Sequence, residues 1–311
     1  MTTSILLTIL QILMAPLLAP LCLGIIRKSK AFMQNRKGAS IFQPYRDIFK
    51  LMKKDEVIAH EASWIFRAAP YIVFTATLAA AASVPVFTTV GSLWPLGDII
   101  MVVYLIALAT FFLALAGLDV GTAFGGTGSS REMTMAALAE GGMMAVVLAV
   151  VTVAHTANIT DITSFISHAS FFTIAPLLLA LAAFFIVLLC ENARYPFDNP
   201  ATHLELTMIH EAMILEYSGK RLALMEWAAA IKLFLFIALA INLFFPWGIA
   251  NTLDPYAFLI GAGLFAAKAL VVLLVITFFE SWMPKLRFFR LPDLLFTAIV
   301  MAAISIVITV L

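Results

Sequence analysis

Apolar stretches close to 20 residues long recur along this chain, and no other feature limits its fold so strongly. Eight runs stand out, at about 4–26, 68–89, 98–118, 133–156, 172–190, 226–249, 258–279 and 292–311. About 20 apolar residues in helical form cover the hydrocarbon core of a bilayer. Only helices and closed barrels satisfy every backbone N–H and C=O there, and unbroken apolar runs exclude the alternating pattern of barrel strands. The chain is 63% hydrophobic and only 12% charged. It is therefore expected to be an all-α polytopic membrane protein, one integral domain over 1–311 with about eight transmembrane helices. The first run lacks a basic leading region and an A-x-A cleavage pattern, so it is expected to be a retained helix.

The cations indicate orientation. Ten of the 19 Lys and Arg lie between Arg27 and Arg67; Arg131, three residues between Arg194 and Arg221, and three between Lys285 and Arg290 fall on the same side of an eight-span arrangement. The segments near 90–97, 157–171 and 250–257 carry none. The positive-inside rule then places both termini outside and the loops at about 27–67, 119–132, 191–225 and 280–291 in the cytoplasm. The five tryptophans, Trp64, Trp94, Trp227, Trp247 and Trp282, fall at the ends of these runs, where aromatic belts form. Lys232 and Lys268 fall inside spans.

A net charge of +1 points to no nucleic-acid partner. Cys22 and Cys190 are too few to hold an iron–sulfur cluster. Neither a phosphate-binding loop nor a nucleophile triad nor an internal repeat is visible. Catalysis in the strict sense is thus expected in a partner, with no cofactor on this chain.

Three polar segments interrupt the apolar pattern. In PYRDIFKLMKKDE, Tyr45, Ile48, Phe49 and Met52 recur at helical spacing, with Arg46, Asp47, Lys50, Lys53 and Lys54 opposite and Pro44 at the first turn. This amphipathic helix suits a lipid surface, a docking partner, or both. GLDVGTAFGGTGSSREM, at 117–133, holds five glycines, which predicts a tightly shaped loop closed by Arg131 and Glu132. Glu140 lies about two turns into the following span, where an acid faces protein or water.

The third segment, ENARYPFDNPATHLELTMIHEAMILEYSG, places five carboxylates and two histidines in residues 191–219. Glu191 and Arg194 have ion-pair spacing. Pro196 and Pro200 break the helix, and a second helix is expected from Thr202, where Glu205 completes a capping box, to Gly219. Glu205 and Glu216 then share a face roughly 16 Å apart, with His210 and Glu211 pointing elsewhere. His203, Glu205 and His210 lack the spacing of a metal site. Proton handling is the stronger reading, because carboxyls partly withdrawn from water have raised pKa values and their protonation responds to local charge or hydration. The candidate relay comprises Glu140, Glu191, Asp198, Glu205, Glu211, Glu216, Lys232 and Lys268.

E-x-x-R-x-P-F-D, here Glu191, Arg194, Pro196, Phe197 and Asp198, with the later Glu216–Tyr217 pair, resembles the quinone-site membrane subunit of respiratory complex I. GLDVGTAFGGTGSSRE, QPYRDIFKL and HLELTMIHEAMILEYSG are more similar to its counterpart in membrane-bound group 4 nickel–iron hydrogenases of the formate hydrogenlyase and hydrogenase-4 types. The resemblance spans nearly the whole chain. It implies an anchor in the cytoplasmic (inner) membrane that holds a soluble arm of hydrogenase-like large and small subunits and an iron–sulfur protein, and connects it to antiporter-like subunits. Nickel–iron and iron–sulfur groups would then belong to the partners. Arg36, Lys37, Gln43, Tyr45, Arg46, Asp47, Lys50, Arg131 and Arg194 would form the docking surface. After Pro196–Phe197–Asp198 the complex I pattern of acids gives way to A-T-H-L-E, and the interval to Glu216 lengthens. Both departures weigh against quinone binding, which stands as the alternative role, beside a stand-alone cation transporter.

Overall fold

The computed structural model describes residues 2–89, 97–198, 208–251, 254–284 and 286–311. Twelve α-helices are present among them: α1 Thr2–Met33, α2 Gln43–Met52, α3 Trp64–Ala82, α4 Ile99–Asp119, α5 Ala123–Ala154, α6 Ile159–His168, α7 Phe171–Ile174, α8 Leu177–Glu191, α9 His210–Ile214, α10 Gly219–Phe244, α11 Pro255–Trp282 and α12 Leu291–Val310. No named strand occurs among the described residues. Seven of these helices are long and apolar enough to cross a membrane. The 15-residue α8 is the eighth apolar helix. The protein is a polytopic all-α membrane protein.

Short polar caps start the helices where the sequence leaves orphan N–H groups. Ser63, Asp98 and Thr122 accept from Ile65, Ile100 and Gly125 at 3.1, 2.9 and 3.3 Å. Thr122 opens α5 ten residues earlier than expected, so most of the glycine-rich stretch is helix and not loop. Its glycines serve close approach instead. A Cβ on Gly117 would lie 2.4 Å from Ser129 Oγ, and one on Gly128 would lie 2.8 Å from Ala212 Cβ. Small residues let α4, α5 and α9 meet backbone to backbone.

The expected fifth span is broken. α7 stops at Ile174, and Pro176 precedes α8. The helix expected over 202–219 also differs. Residues 199–207 lie outside those described; α9 covers only His210–Ile214, and Gly219, at φ +54°, opens α10 where it was expected to end a helix.

α10 is the central helix, with 83% of its most apolar window buried. α1, α3, α6, α8 and α11 surround it, α4 lies on α3, and α12 packs on α5 and α8. Because α10 begins so early, Trp227 lies inside it and not at its end. There it meets a backbone need. Pro20 has no N–H for the Pro16 carbonyl one turn back in α1, and Trp227 Nε1 donates to that oxygen at 2.9 Å. Trp64, Trp247 and Trp282 remain at helix ends and exposed, as expected. Trp94 lies outside the described residues.

The amphipathic α2 crosses α1 and α10. Pro44 and Ile48 form its buried stripe, while Phe49 is 66% exposed, contrary to the expected apolar face. The stripe follows an i, i+4 line, and one residue further turns about 100° away from it.

Candidate functional site: a charged cavity within the bundle

A cavity of about 840 Å³ opens among α1, α3, α4, α5, α10, α11 and the segment after α8. Six carboxylates line it: Glu132, Glu191, Asp198, Glu211, Glu226 and Glu280. They face a comparable set of cations, Arg27, Lys30, Arg36, Lys37, Arg194 and Lys232. Buried charge is tolerated only when paired or hydrogen-bonded, and the wall shows how that is done.

The Glu191–Arg194 pair expected from spacing is absent, because both residues find partners from distant helices. Glu191, at the end of α8, binds Lys232 of α10 at 2.7 Å, and the Lys232 ammonium also donates to Thr110 Oγ1 of α4 at 3.3 Å. Arg194 binds Glu280 of α11 at 3.1 Å, and Lys30 of α1 holds the other oxygen of Glu280 at 3.2 Å. The Lys30 ammonium lies 4.6 Å above the Tyr195 ring. Glu280 therefore joins α1, α11 and the segment after α8. Burial, with help from Glu280 and Asp198, raises the pKa of the Tyr195 hydroxyl.

Asp198 is 2% exposed and accepts from the backbone N–H groups of Ile209 and His210, each at 3.1 Å. His210 and Glu211 thereby reach the cavity. Burial pushes Glu211 up to about 7, reinforced by Glu226 and Asp198 and opposed by Arg27. Burial likewise lowers His210 to about 4, with Asp198 opposing and Lys232 and Arg194 adding to the fall.

The other relay candidates separate. Glu140, two turns beyond Glu132 on α5, feels the charges of Glu191 and Lys232 without lining the cavity. Glu216 is exposed and away from it. Lys268 donates to the Phe245 and Trp247 carbonyls beyond the end of α10. Glu205 lies outside the described residues. Glu132, Glu226, Glu280 and His210 were not among the sequence candidates. A single acid on an apolar helix was the available signal, and it marked Glu140 equally.

The basic segment lies beside the cavity. Arg36 and Lys37 line it directly. Asp47 accepts from Gln43 at 2.9 Å and lies 3.8 Å from both Arg27 and Lys50. Tyr45 donates to the Leu17 carbonyl, and Arg46 and Lys50 are exposed. Arg131 points to the Met208 carbonyl at 3.5 Å, with its guanidinium 5.8 Å from the Phe288 ring centre.

A multi-pass apolar bundle with a cavity lined by opposed charges, some of them in buried ion pairs, defines a membrane protein that holds ionisable groups among its helices. The chain belongs to the NADH dehydrogenase family, whose sequence model matches residues 5–311. It is 34% identical to formate hydrogenlyase subunit 4 of Escherichia coli (strain K12) over 91% of this chain and 92% of the relative. It is 32% identical to hydrogenase-4 component C of the same strain, over 93% and 90%. An NADH-quinone oxidoreductase subunit of Anaplasma phagocytophilum (strain HZ) is 28% identical over 85% and 83%. The fold is shared with a chain of the membrane-bound sulfane sulfur reductase, an archaeal respiratory membrane complex, at a TM-score of 0.85 and 23% identity over 99% of both chains.

Proposed function

We propose that this chain is the membrane anchor and proton- or ion-coupling subunit of a complex I-like membrane-bound hydrogenase in the cytoplasmic membrane. It docks a soluble nickel–iron and iron–sulfur arm on its basic, cytoplasmic side and links it through buried carboxylates to antiporter-like membrane subunits. The observation that carries this reading is the 2.7 Å Lys232–Glu191 pair set in the wall of an acid-lined cavity beside the basic segment. A charge change in a docked arm alters the field on such groups, and burial makes their protonation respond. Similarity to the formate hydrogenlyase and hydrogenase-4 components supports the choice of arm.

In this reading the intact complex co-purifies with nickel-bearing and iron–sulfur chains, identified by mass spectrometry and metal analysis. Reconstituted in liposomes, Glu132→Gln and Glu140→Gln variants move fewer protons per hydrogen turned over. Full coupling in both variants overturns the relay. The cavity volume also admits a quinone headgroup, and stoichiometric quinone in the purified complex favours that second reading.

A further inference from the structure

The coupling reading above leaves unassigned the one imidazole that the described residues place in the cavity wall. We propose that His210 carries protons within this cavity and that Asp198 is the positioning residue that holds it there.

Three contacts fix the segment bearing His210. Asp198 is almost wholly buried, and its Oδ2 accepts from the N–H groups of Ile209 and His210, eleven and twelve residues along the chain. The Arg131 guanidinium meets the carbonyl of Met208, just before them. After them, Ala212, Met213 and Ile214 are buried, and Gly128 on α5 leaves no space for a Cβ beside Ala212. Asp198 therefore holds backbone, as a carboxylate best does when two N–H donors converge on one oxygen. This anchoring gives Asp198 a backbone-holding role within the acidic cluster.

Anchored in this way, His210 faces the cavity that also receives Glu132, Glu211 and Lys232. Its surroundings keep the ring neutral near pH 7, since burial and the cations Lys232 and Arg194 outweigh the attraction of Asp198. A neutral imidazole has one N–H donor and one bare acceptor nitrogen. The bare nitrogen takes a proton from a hydronium ion in the cavity, leaving water, while the opposite N–H proton passes to an ionised cavity carboxylate, leaving a carboxylic acid. The ring ends neutral, as the other tautomer, and a ring flip or the reverse transfer restores it. A cavity of about 840 Å³ has ample room for that water, each molecule of which needs about 30 Å³.

The test uses the complete complex in liposomes, reading protons moved per hydrogen turnover, together with amide hydrogen exchange. His210→Gln is expected to lower the proton ratio about twofold or more while leaving the Ile209 amide protected. Asp198→Ala is expected to speed exchange at Ile209 and His210 about tenfold and to lower the ratio as well. Asp198→Asn, which keeps one acceptor oxygen, serves where the alanine variant does not assemble, and should show the same exchange change in smaller degree. An unchanged ratio in His210→Gln, with Glu132→Gln uncoupled, overturns the role of His210 alone. Unchanged ratios in His210→Gln, Glu132→Gln and Glu140→Gln alike overturn the coupling reading itself. Unchanged amide exchange in the Asp198 variants overturns the positioning role.

Discussion

The Tyr217 hydroxyl donates to the Phe66 carbonyl at 2.8 Å, across 151 residues, and that oxygen is the one left without its helical donor by Pro70. The two rings also stack, with centroids 4.0 Å apart and planes within 2°. The tyrosine of the Glu216–Tyr217 motif thus repairs a proline gap in α3, as Trp227 does for α1. In a buried helix an orphan carbonyl has no water to turn to.

Replacing Tyr217 with Phe removes only this donor. The change should cost about 1–3 kcal/mol, measured as a lower thermal midpoint of the detergent-solubilised protein. Adding Pro70→Ala restores an N–H to α3 and should return much of the loss. A double variant no better than Tyr217→Phe sinks the explanation.

Lys232→Met alone leaves Glu191 buried beside an apolar chain, and Glu191→Leu alone leaves the ammonium without its carboxylate. Each should destabilise by about 3–5 kcal/mol, whereas the double variant should recover most of the loss. Strict additivity of the two single losses would show that the pair does not act as a unit.

Glu211 predicts a pH signature. Its folded pKa of about 7 exceeds the ordinary carboxylate value, so the folded state holds a proton that the unfolded chain has released. Stability from this group is full below the ordinary value of 4.5, declines as pH rises towards 7, and is level above that. Glu211→Gln should flatten this part of the pH–stability curve in thermal melts. A wild-type slope unchanged by the substitution contradicts the assignment.

Gly219 sits at φ +54°, where a Cβ would meet the Asp55 carbonyl oxygen at 2.8 Å. Gly219→Ala should therefore cost at least about 1–2 kcal/mol, from backbone strain before any clash is counted. The loss should appear as a lower melting temperature and faster proteolysis in the 53–63 segment.

Much of the architecture was legible because the rule behind it is local. Stretches of apolar side chains must become helices in a bilayer, and Pro85, Pro176 and Pro246 lie where those helices fail to continue. The site was less legible. Spacing linked Glu191 to Arg194, yet each residue pairs with a helix far along the chain. The glycines of 117–128 suggested a turn, but they accommodate neighbouring helices. His210 lay inside a motif that gave it no role in the relay, and the Asp198 contact reveals its place.

By itself, the chain's order of residues determined a membrane-embedded helical bundle, the approximate extent of its helices and the concentration of charge at one set of loops. Those outcomes depend on desolvating backbone and side chains segment by segment, which each segment's own composition decides. Only the tertiary structure decided which charges meet, which orphan carbonyls Tyr217 and Trp227 serve, and where a cavity remains. Inside a low-dielectric bundle a charge or an unpaired carbonyl must be satisfied by whatever group packing brings within about 3 Å, and that neighbour need not be near in sequence.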